Sequence, residues 1–211
     1  IAQWTPVNSN VTVDLNDVFF FNNTIGFCGG NNGTLLKSID AGQNWSAKNL
    51  PTTDDIVKVH FITEDIGFIQ AYNFGSGFST NTIYRSIDGG NSWSSIMDSF
   101  PNPQINNQNL HVRNADYYFN GKYGVINFLY SDNPQTAAPT KESWKTSDYG
   151  ESWVKLDSNI SGQHLPAPVI ILDSLNWFCG TSNLLRTIDG GITWEESMSV
   201  SFAGFPVYNY D

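Results

Sequence analysis

Four octets place an acid where it could do chemistry: SIDAGQNW from residue 38, SIDGGNSW from 86, TSDYGESW from 146 and TIDGGITW from 187. Each sets a hydroxyl two residues before an Asp, a Gly two after it and a Trp five after it. A carboxylate beside a hydroxyl could act as a general base, activate a nucleophile or help to hold a cation. Repetition argues otherwise, because an enzyme needs such an acid once or twice and this chain supplies it in every copy. The structural alternative is complete without chemistry. Asp40, Asp88, Asp148 and Asp189 can accept backbone N–H groups across a tight turn, and Ser38, Ser86, Thr146 and Thr187 can do likewise through their hydroxyls. Gly42, Gly90, Gly150 and Gly191 are the same in every copy, while the residue before them is Ala, Gly, Tyr or Gly. That contrast predicts that the second of the two positions alone needs a positive φ. Trp45, Trp93, Trp153 and Trp194 supply one large apolar plate per copy.

The elements that position these octets repeat as well. The acids at 40, 88, 148 and 189 are 48, 60 and 41 residues apart. Before each comes an apolar or aromatic run, a polar turn, a second short apolar segment (IGF, IGF, YGV, NWF) and a third run that enters the octet. Runs this short, broken by Asn, Gly and Asp, are strands, and no stretch has convincing helical periodicity. Four strands at a period of roughly 45 residues predict an all-β fold, a β-propeller of four-stranded antiparallel blades. The octet then sits in the hairpin between the third and fourth strands. Residues 1–211 are read as a single propeller domain or propeller segment, with blades at about 12–50, 54–98, 109–157 and 167–199. Residues 1–9 and 201–211 read as partial blade strands. Four full blades plus fragments leave the ring incomplete, so further residues are expected after Asp211, with a compact five-bladed ring as the alternative.

The pattern S/T-x-D-x-G-x-x-W resembles the Asp-box, or BNR repeat, of sialidases, sortilin-type receptors and several glycosidases. The longer unit LNDVFFFNNTIGFCGGNNGTLLKSIDAGQNW is most similar to repeats of propellers related to photosystem II assembly and stability factors. Through repetition the resemblance covers nearly the whole chain. It implies the propeller fold, and it implies no single function, because that fold hosts many. A sialidase would bring a three-arginine clamp, a Tyr–Glu nucleophile pair and an Asp acid. The chain has Arg85, Arg113 and Arg186, of which the first and third stand immediately before a box, where Lys37 and Lys145 stand in the other copies. At most one Arg is left for a clamp, and the F/Y-R-I-P motif is missing.

Successive loops of a propeller alternate between its faces, so the box turns share one face and the second-to-third-strand and inter-blade loops share the other. Insertions fall on that second face, at 71–82, 97–109, 129–143 and 156–168. Elaborated loops on one side of a rigid scaffold are where binding sites usually lie. Their candidate binding residues are Tyr72, Asn73, Phe74, Phe78, Tyr130, Asp132 and Asn133, with His111 and Arg113 at the channel mouth and His60 deeper. Aromatic plates among amides and acids suit the apolar faces and hydroxyls of a sugar, and equally a protein partner. Asp14, Asp17, Asp54 and Asp55, near the starts of first strands, are the acids from which a glycosidase would draw its carboxylate pair.

Composition narrows the partners further. The formal charge of −10 argues against nucleic acid and anionic membrane. No apolar run is long enough for a transmembrane helix. No metal or cofactor is expected, as there is no H-x-x-H pair or His-rich cluster. Cys28 and Cys179 occupy one equivalent place in two non-adjacent repeats, which predicts buried thiols rather than a disulfide. Charged residues are only 14% of the chain, so solubility rests on uncharged polar side chains, and Asn-x-Ser/Thr sequons occur at Asn10, Asn22, Asn32, Asn44 and Asn159. Both features fit an extracytoplasmic setting. The sequence therefore points to a non-catalytic, extracytoplasmic module that recognises a protein or glycan through the loops opposite the boxes, a place in a larger assembly being left open. A glycoside hydrolase, sialidase-like or other, and a structural part of a larger surface protein stay open as alternatives.

Overall fold

Short β-branched and aromatic runs between Asn, Gly and Asp turns build four meanders in the computed structural model. It describes residues 6–75, 80–100, 104–105, 108–109, 111–131, 140–156, 169–180 and 184–198. The first blade joins β1 (Leu15–Phe20), β2 (Gly26–Gly30), β3 (Thr34–Ser38) and β4 (Ser46–Lys48). The second joins β5 (Asp55–Phe61), β6 (Gly67–Asn73), β7 (Thr80–Ser86) and β8 (Ser94–Ser95). A 3-10 turn at Met97–Ser99 and a two-stranded pair, β9 (Gln104–Ile105) with β10 (Gln108–Asn109), follow it. The third blade joins β11 (His111–Asn120), β12 (Tyr123–Ser131), β13 (Thr140–Thr146) and β14 (Val154–Lys155). The fourth joins β15 (Val169–Ile171), β16 (Trp177–Gly180), β17 (Leu184–Thr187) and β18 (Glu195–Met198). Sequence neighbours are sheet neighbours throughout, and the fold is that of a β-propeller. Trp4 and residues 201–211 lie outside the described residues, and residues 6–9 carry no strand.

The chain divides into two compact units, Ile1–Ala115 with Phe128–Thr140, and Asp116–Asn127 with Lys141–Asp211. In the first, Phe27 of one blade stacks on Phe61 of the next at 3.8 Å and 11°. Leu35, Ile56, Val59, Ile69, Ala71, Tyr84 and Trp93 complete that core. In the second, Val125 and Leu156 of the third blade meet Val169, Ile171, Trp177, Cys179 and Trp194 of the fourth. The cores therefore lie between blades, as expected where a sheet buries one face on its neighbour.

Each box rests on a small repeated cluster. The last aromatic of the first strand covers a Gly that opens the second. A Cβ on Gly26 would lie 2.6 Å from the Phe20 ring and one on Gly67 2.6 Å from the Phe61 ring, with Phe119 closer still over Gly124. The box Trp then meets that Phe edge-on, Trp45 to Phe20 at 6.0 Å, Trp93 to Phe61 at 5.8 Å and Trp153 to Phe119 at 6.0 Å. The fourth blade reverses the two sizes. Trp177 stands at the Gly place opposite Ile171, so the second strand supplies the large ring and the first a smaller chain. Volume at the position is kept, which is what a packed core tolerates.

Cys28 and Cys179 are free, buried thiols. Burial pushes the Cys179 thiol up to about 12. Burial, with Asp17 adding to it, raises Cys28. Neither is poised as a nucleophile.

Candidate functional site

Each blade has a box end and, at the far end of the same hairpin, a loop end. In the second blade Ser86 pairs with Gly67 at the box end, whereas Thr80 pairs with Asn73 at the other. Six residues of strand, on the order of 20 Å, separate the two.

At the box end the geometry repeats almost atom for atom. The buried hydroxyl of Ser38, Ser86, Thr146 or Thr187 accepts the N–H of the box Gly at 2.9–3.0 Å and donates to the box Asp at 2.7–2.9 Å. The same Asp88 oxygen accepts the N–H groups of Asn91 at 3.0 Å and Ser92 at 2.8 Å, and its other oxygen takes the Ser92 hydroxyl at 2.6 Å. Asp148 and Asp189 repeat this with Ser152 and Thr193, while Asp40 uses the N–H and amide of Asn44. Each of these carboxylates accepts three or more bonds from its own turn, which makes it a structural acceptor. The Asn44 sequon is taken up in the same way.

One expectation for this turn is corrected. Positive φ is not confined to the second position: Ala41 and Gly42 have 61° and 81°, Gly89 and Gly90 68° and 79°, Tyr149 and Gly150 61° and 76°, Gly190 and Gly191 69° and 90°. Both residues are left-handed, so backbone conformation alone does not explain why the second is always Gly. A Cβ on Gly90 would lie 2.9 Å from Cε1 of Phe27 and 3.2 Å from Cζ of Phe61, and one on Gly191 2.8 Å from Cζ3 of Trp177. In the second and fourth boxes the second position is pressed onto an aromatic ring closely enough to exclude a side chain, and in the first a Cβ on Gly42 would lie 3.2 Å from the Phe20 ring. Ala41 and Tyr149 show that the first position admits one.

The hydrogen bonds set the acidity. Asp88 is held at about 2 by the Ser92 hydroxyl first and then the Ser92 N–H, against an opposing effect of burial, with the Ser86 hydroxyl and the Asn91 N–H adding to the lowering. Asp189 falls to about 2 through the Thr193 hydroxyl first. At Asp148 burial acts upward, and the hydrogen bonds of Ser152 and Thr146 outweigh it to reach about 2. Asp40 is lowered, chiefly by the Asn44 side chain. Lowered carboxylates contribute stability that is complete above their unfolded value of about 3.9 and is lost as pH falls through the folded value. Asp88→Ala removes these turn bonds and, with the carboxylate largely in solvent, should cost on the order of 1 kcal/mol at neutral pH. The difference in melting temperature between the two proteins should shrink between pH 4 and pH 2. A gap that stayed constant across that window would contradict the assignment.

The lysines before the first and third boxes are scaffold as well. Lys37 donates to the Gly89 carbonyl of the next box at 2.7 Å, and Lys145 donates to the equivalent Gly190 carbonyl at 2.9 Å. A cavity of about 220 Å³ beside the third box is lined by Lys145, Thr146, Ser152, Tyr123 and Trp177 among others. Thr146, Ser152 and Lys145 are already engaged as described.

At the loop end the predicted residues separate. Tyr72 is half-buried at the end of β6, and its ring meets Phe74 edge-on at 4.3 Å and 73°. Phe74 is 70% exposed. Between them Asn73 donates to Asp54 at 2.6 Å, which fixes the ledge to the start of the blade. Tyr130 lies elsewhere: β12 runs on to Ser131, and the ring is buried to 2% beside Phe128. Arg113 is half-buried in β11, its carbonyl accepting the Asn81 amide at 2.6 Å, and His111 opens that strand. Phe78, Asp132 and Asn133 lie outside the described residues. The sequence reading missed the buried pair that stiffens this end, Gln70 donating to Asn81 at 2.5 Å. Its signal was a lone amide inside the apolar run GFIQAY.

Three of the four acids named for hydrolysis are tied into the scaffold through their carboxylates. Asp17 accepts the Val59 N–H at 2.7 Å, Asp55 accepts the Asn32 N–H at 2.9 Å, and Asp54 holds Asn73. Asp14 accepts the Asn31 N–H through its carbonyl at 2.9 Å. His60 is half-buried against Phe19 at 4.9 Å, and burial lowers its basicity. Among the described residues no group of three or more His, Cys, Asp or Glu could hold a metal ion. No helix among them is long and apolar enough to cross a membrane.

Four-stranded meanders closed by Asp-box turns define a BNR-type β-propeller. The family model described as photosynthesis system II assembly factor YCF48 matches residues 1–126, more than half of the 211. The chain belongs to that family. Among solved structures, an ancestral GH74 enzyme is similar over 93% of this chain and 25% of its own, at 17% identity and a TM-score of 0.56. The GH74 xyloglucanase from Xanthomonas campestris is similar over 81% of this chain and 27% of its own, at 12% identity and a TM-score of 0.58. The chain thus spans about a quarter of the length of these enzymes, and at such identities they show the fold alone. YCF48 bound to D1 peptide aligns over 96% of this chain and 89% of its own at 18% identity, with a TM-score of 0.30 that is too low to argue from. No curated protein matches the sequence.

Proposed function

We propose that the chain is a non-catalytic recognition module that binds a protein segment at the loop end of its second blade. The observation that carries this is the Tyr72–Phe74 ledge, an aromatic side chain 70% exposed yet held by a ring at 4.3 Å and by the Asn73–Asp54 bond. A pre-ordered aromatic of this kind loses little entropy on binding and supplies the large contact area typical of hot spots. Membership of a family described as an assembly factor favours a protein over a glycan. The turn-bonded box acids and the scaffold bonds of Asp17, Asp54 and Asp55 favour binding over hydrolysis. The same reading places the chain outside the cytoplasm, in keeping with its low charge content and its sequons.

Panning a random peptide library on the immobilised chain tests the reading. Sequences enriched on the wild type should be lost on Phe74→Ala and kept on Asp88→Ala. Enrichment that is equal on wild type and Phe74→Ala would contradict it.

A further inference from the structure

The cavity of about 220 Å³ lies at the joint of the third and fourth blades, and its lining residues all belong to the second compact unit. The joint of the first and second blades, inside the first unit, is built on the same plan. In each a lysine donates to the carbonyl of the first glycine in the next box, Lys37 to Gly89 at 2.7 Å and Lys145 to Gly190 at 2.9 Å. In each that glycine gives its N–H, at 2.9 Å, to a carbonyl of the preceding turn, of Asp65 or of Leu175. A Cβ on the glycine would meet the carbonyl oxygen one residue earlier, of Glu64 at 3.2 Å or of Ser174 at 2.8 Å. The two turns therefore correspond residue for residue. Ser174 and Leu175 stand at the places of Glu64 and Asp65.

That exchange takes acid away from one of the two lysines. Burial first and then Lys48 lower the Lys37 ammonium, while Asp65, Asp88 and Glu64 act against them. At the three corresponding places about Lys145 only Asp189 is an acid, and its carboxylate is taken up by Thr187 and Thr193 of its own turn. Asp148, in the box that Lys145 enters, is likewise turned onto Thr146 and Ser152. Lys145 gives one of its three N–H groups to Gly190, and among the described residues no carboxylate pairs with it. The exposed hydroxyls of Ser147 and Ser174 also line the cavity and have no hydrogen-bond partner among the described residues. The buried Trp177 and the half-buried Tyr123 supply aromatic walls, with the Lys145 ammonium 5.9 Å from the centre of the Trp177 ring.

We propose that this cavity binds a small organic carboxylate with a flat apolar body. The carboxylate accepts the two remaining N–H groups of Lys145 and the hydroxyls of Ser147 and Ser174, and the body lies against Trp177, Tyr123 and Val154. Ammonium and hydroxyl donors converging on one anion form the stronger, charge-assisted kind of hydrogen bond. Aromatic walls give the body large apolar contact. A volume below the roughly 300–1,000 Å³ of ordinary ligand pockets restricts the ligand to a small solute. The first joint carries acid beside its lysine in the chain itself, and the third takes it from solution. This site is separate from the Tyr72–Phe74 ledge and does not rest on it.

Benzoate and its neutral amide, benzamide, test this when titrated into the isotope-labelled chain while its amide and indole N–H resonances are followed. Benzoate should bind in the millimolar range, with saturable shifts at Ser147, Ser174 and the Trp177 indole, and benzamide should bind at least about tenfold more weakly. Ser174→Glu returns the residue of the first joint, so it should abolish benzoate binding and leave the melting temperature unchanged or raised. Lys145→Met keeps the apolar stem without the ammonium, and should weaken benzoate at least about tenfold. If Lys145→Met does not melt cooperatively, Ser174→Glu decides the matter alone. No saturable shift with millimolar benzoate, shifts confined to other residues, equal affinity for benzoate and benzamide, or unchanged binding to Ser174→Glu would each overturn the proposal.

Discussion

Gly90→Ala should destabilise the chain by about 2–4 kcal/mol, while Gly89→Ala, one residue earlier, should cost about 1 kcal/mol or less. Both residues have positive φ, 79° and 68°, so both substitutions place Ala in a left-handed conformation. They differ in what the new methyl meets. At Gly90 it would sit 2.9 Å from the Phe27 ring and 3.2 Å from Phe61, two rings stacked at 3.8 Å in a fully packed joint that cannot yield. At Gly89 the nearest atom is the Glu64 carbonyl oxygen at 3.2 Å, and the first box carries Ala41 at that very place. Urea midpoints of the two variants check this. Equal losses would mean that conformation alone, and not the aromatic floor, dictates the box glycine.

The sequence made the box legible because four copies of one pattern separate the fixed positions from the free ones. The same comparison misled at the first of the two turn residues, where Ala41 and Tyr149 disguise a left-handed backbone that non-glycine residues can bear at modest cost. The reversal in the fourth blade was half visible. NWF stands where IGF stands elsewhere, but that Trp177 fills a missing Phe follows only once Ile171 is seen opposite it. The loop end was less legible. Tyr130 reads as a loop aromatic because polar residues follow it, yet β12 is nine residues long and carries it into the core. Asp54 and Asn73 are 19 residues apart, and no local pattern announces their bond.

Phe74→Ala should weaken capture of the partner about 10- to 100-fold and leave stability within about 0.5 kcal/mol of wild type. The first expectation follows from the exposed ring and its T-shaped support, the second from its 70% exposure, which gives the fold little to lose. Tyr72→Ala should show both effects, because the half-buried ring supports Phe74 and also packs at the end of β6. Asn73→Ala should weaken binding less than Phe74→Ala, by freeing the ledge from Asp54 without removing its aromatic surface. Peptides enriched on the wild-type chain serve as the probe, with fluorescence anisotropy for affinity and thermal melting for the fold. A Phe74→Ala protein that bound normally would remove the ledge from the account.

The central claim is that one end of the blade is scaffold and the other recognises a partner, and paired photo-crosslinking tests it most directly. Phe74 and Ile87 lie at opposite ends of the second blade and are 70% and 64% exposed, so a photoreactive residue at either place samples solvent almost equally. With the enriched peptides as bait, crosslinking is predicted from position 74, with loss of the product on adding Tyr72→Ala, and none above background from position 87. Crosslinking from position 87 that equalled or exceeded that from position 74 would contradict the account.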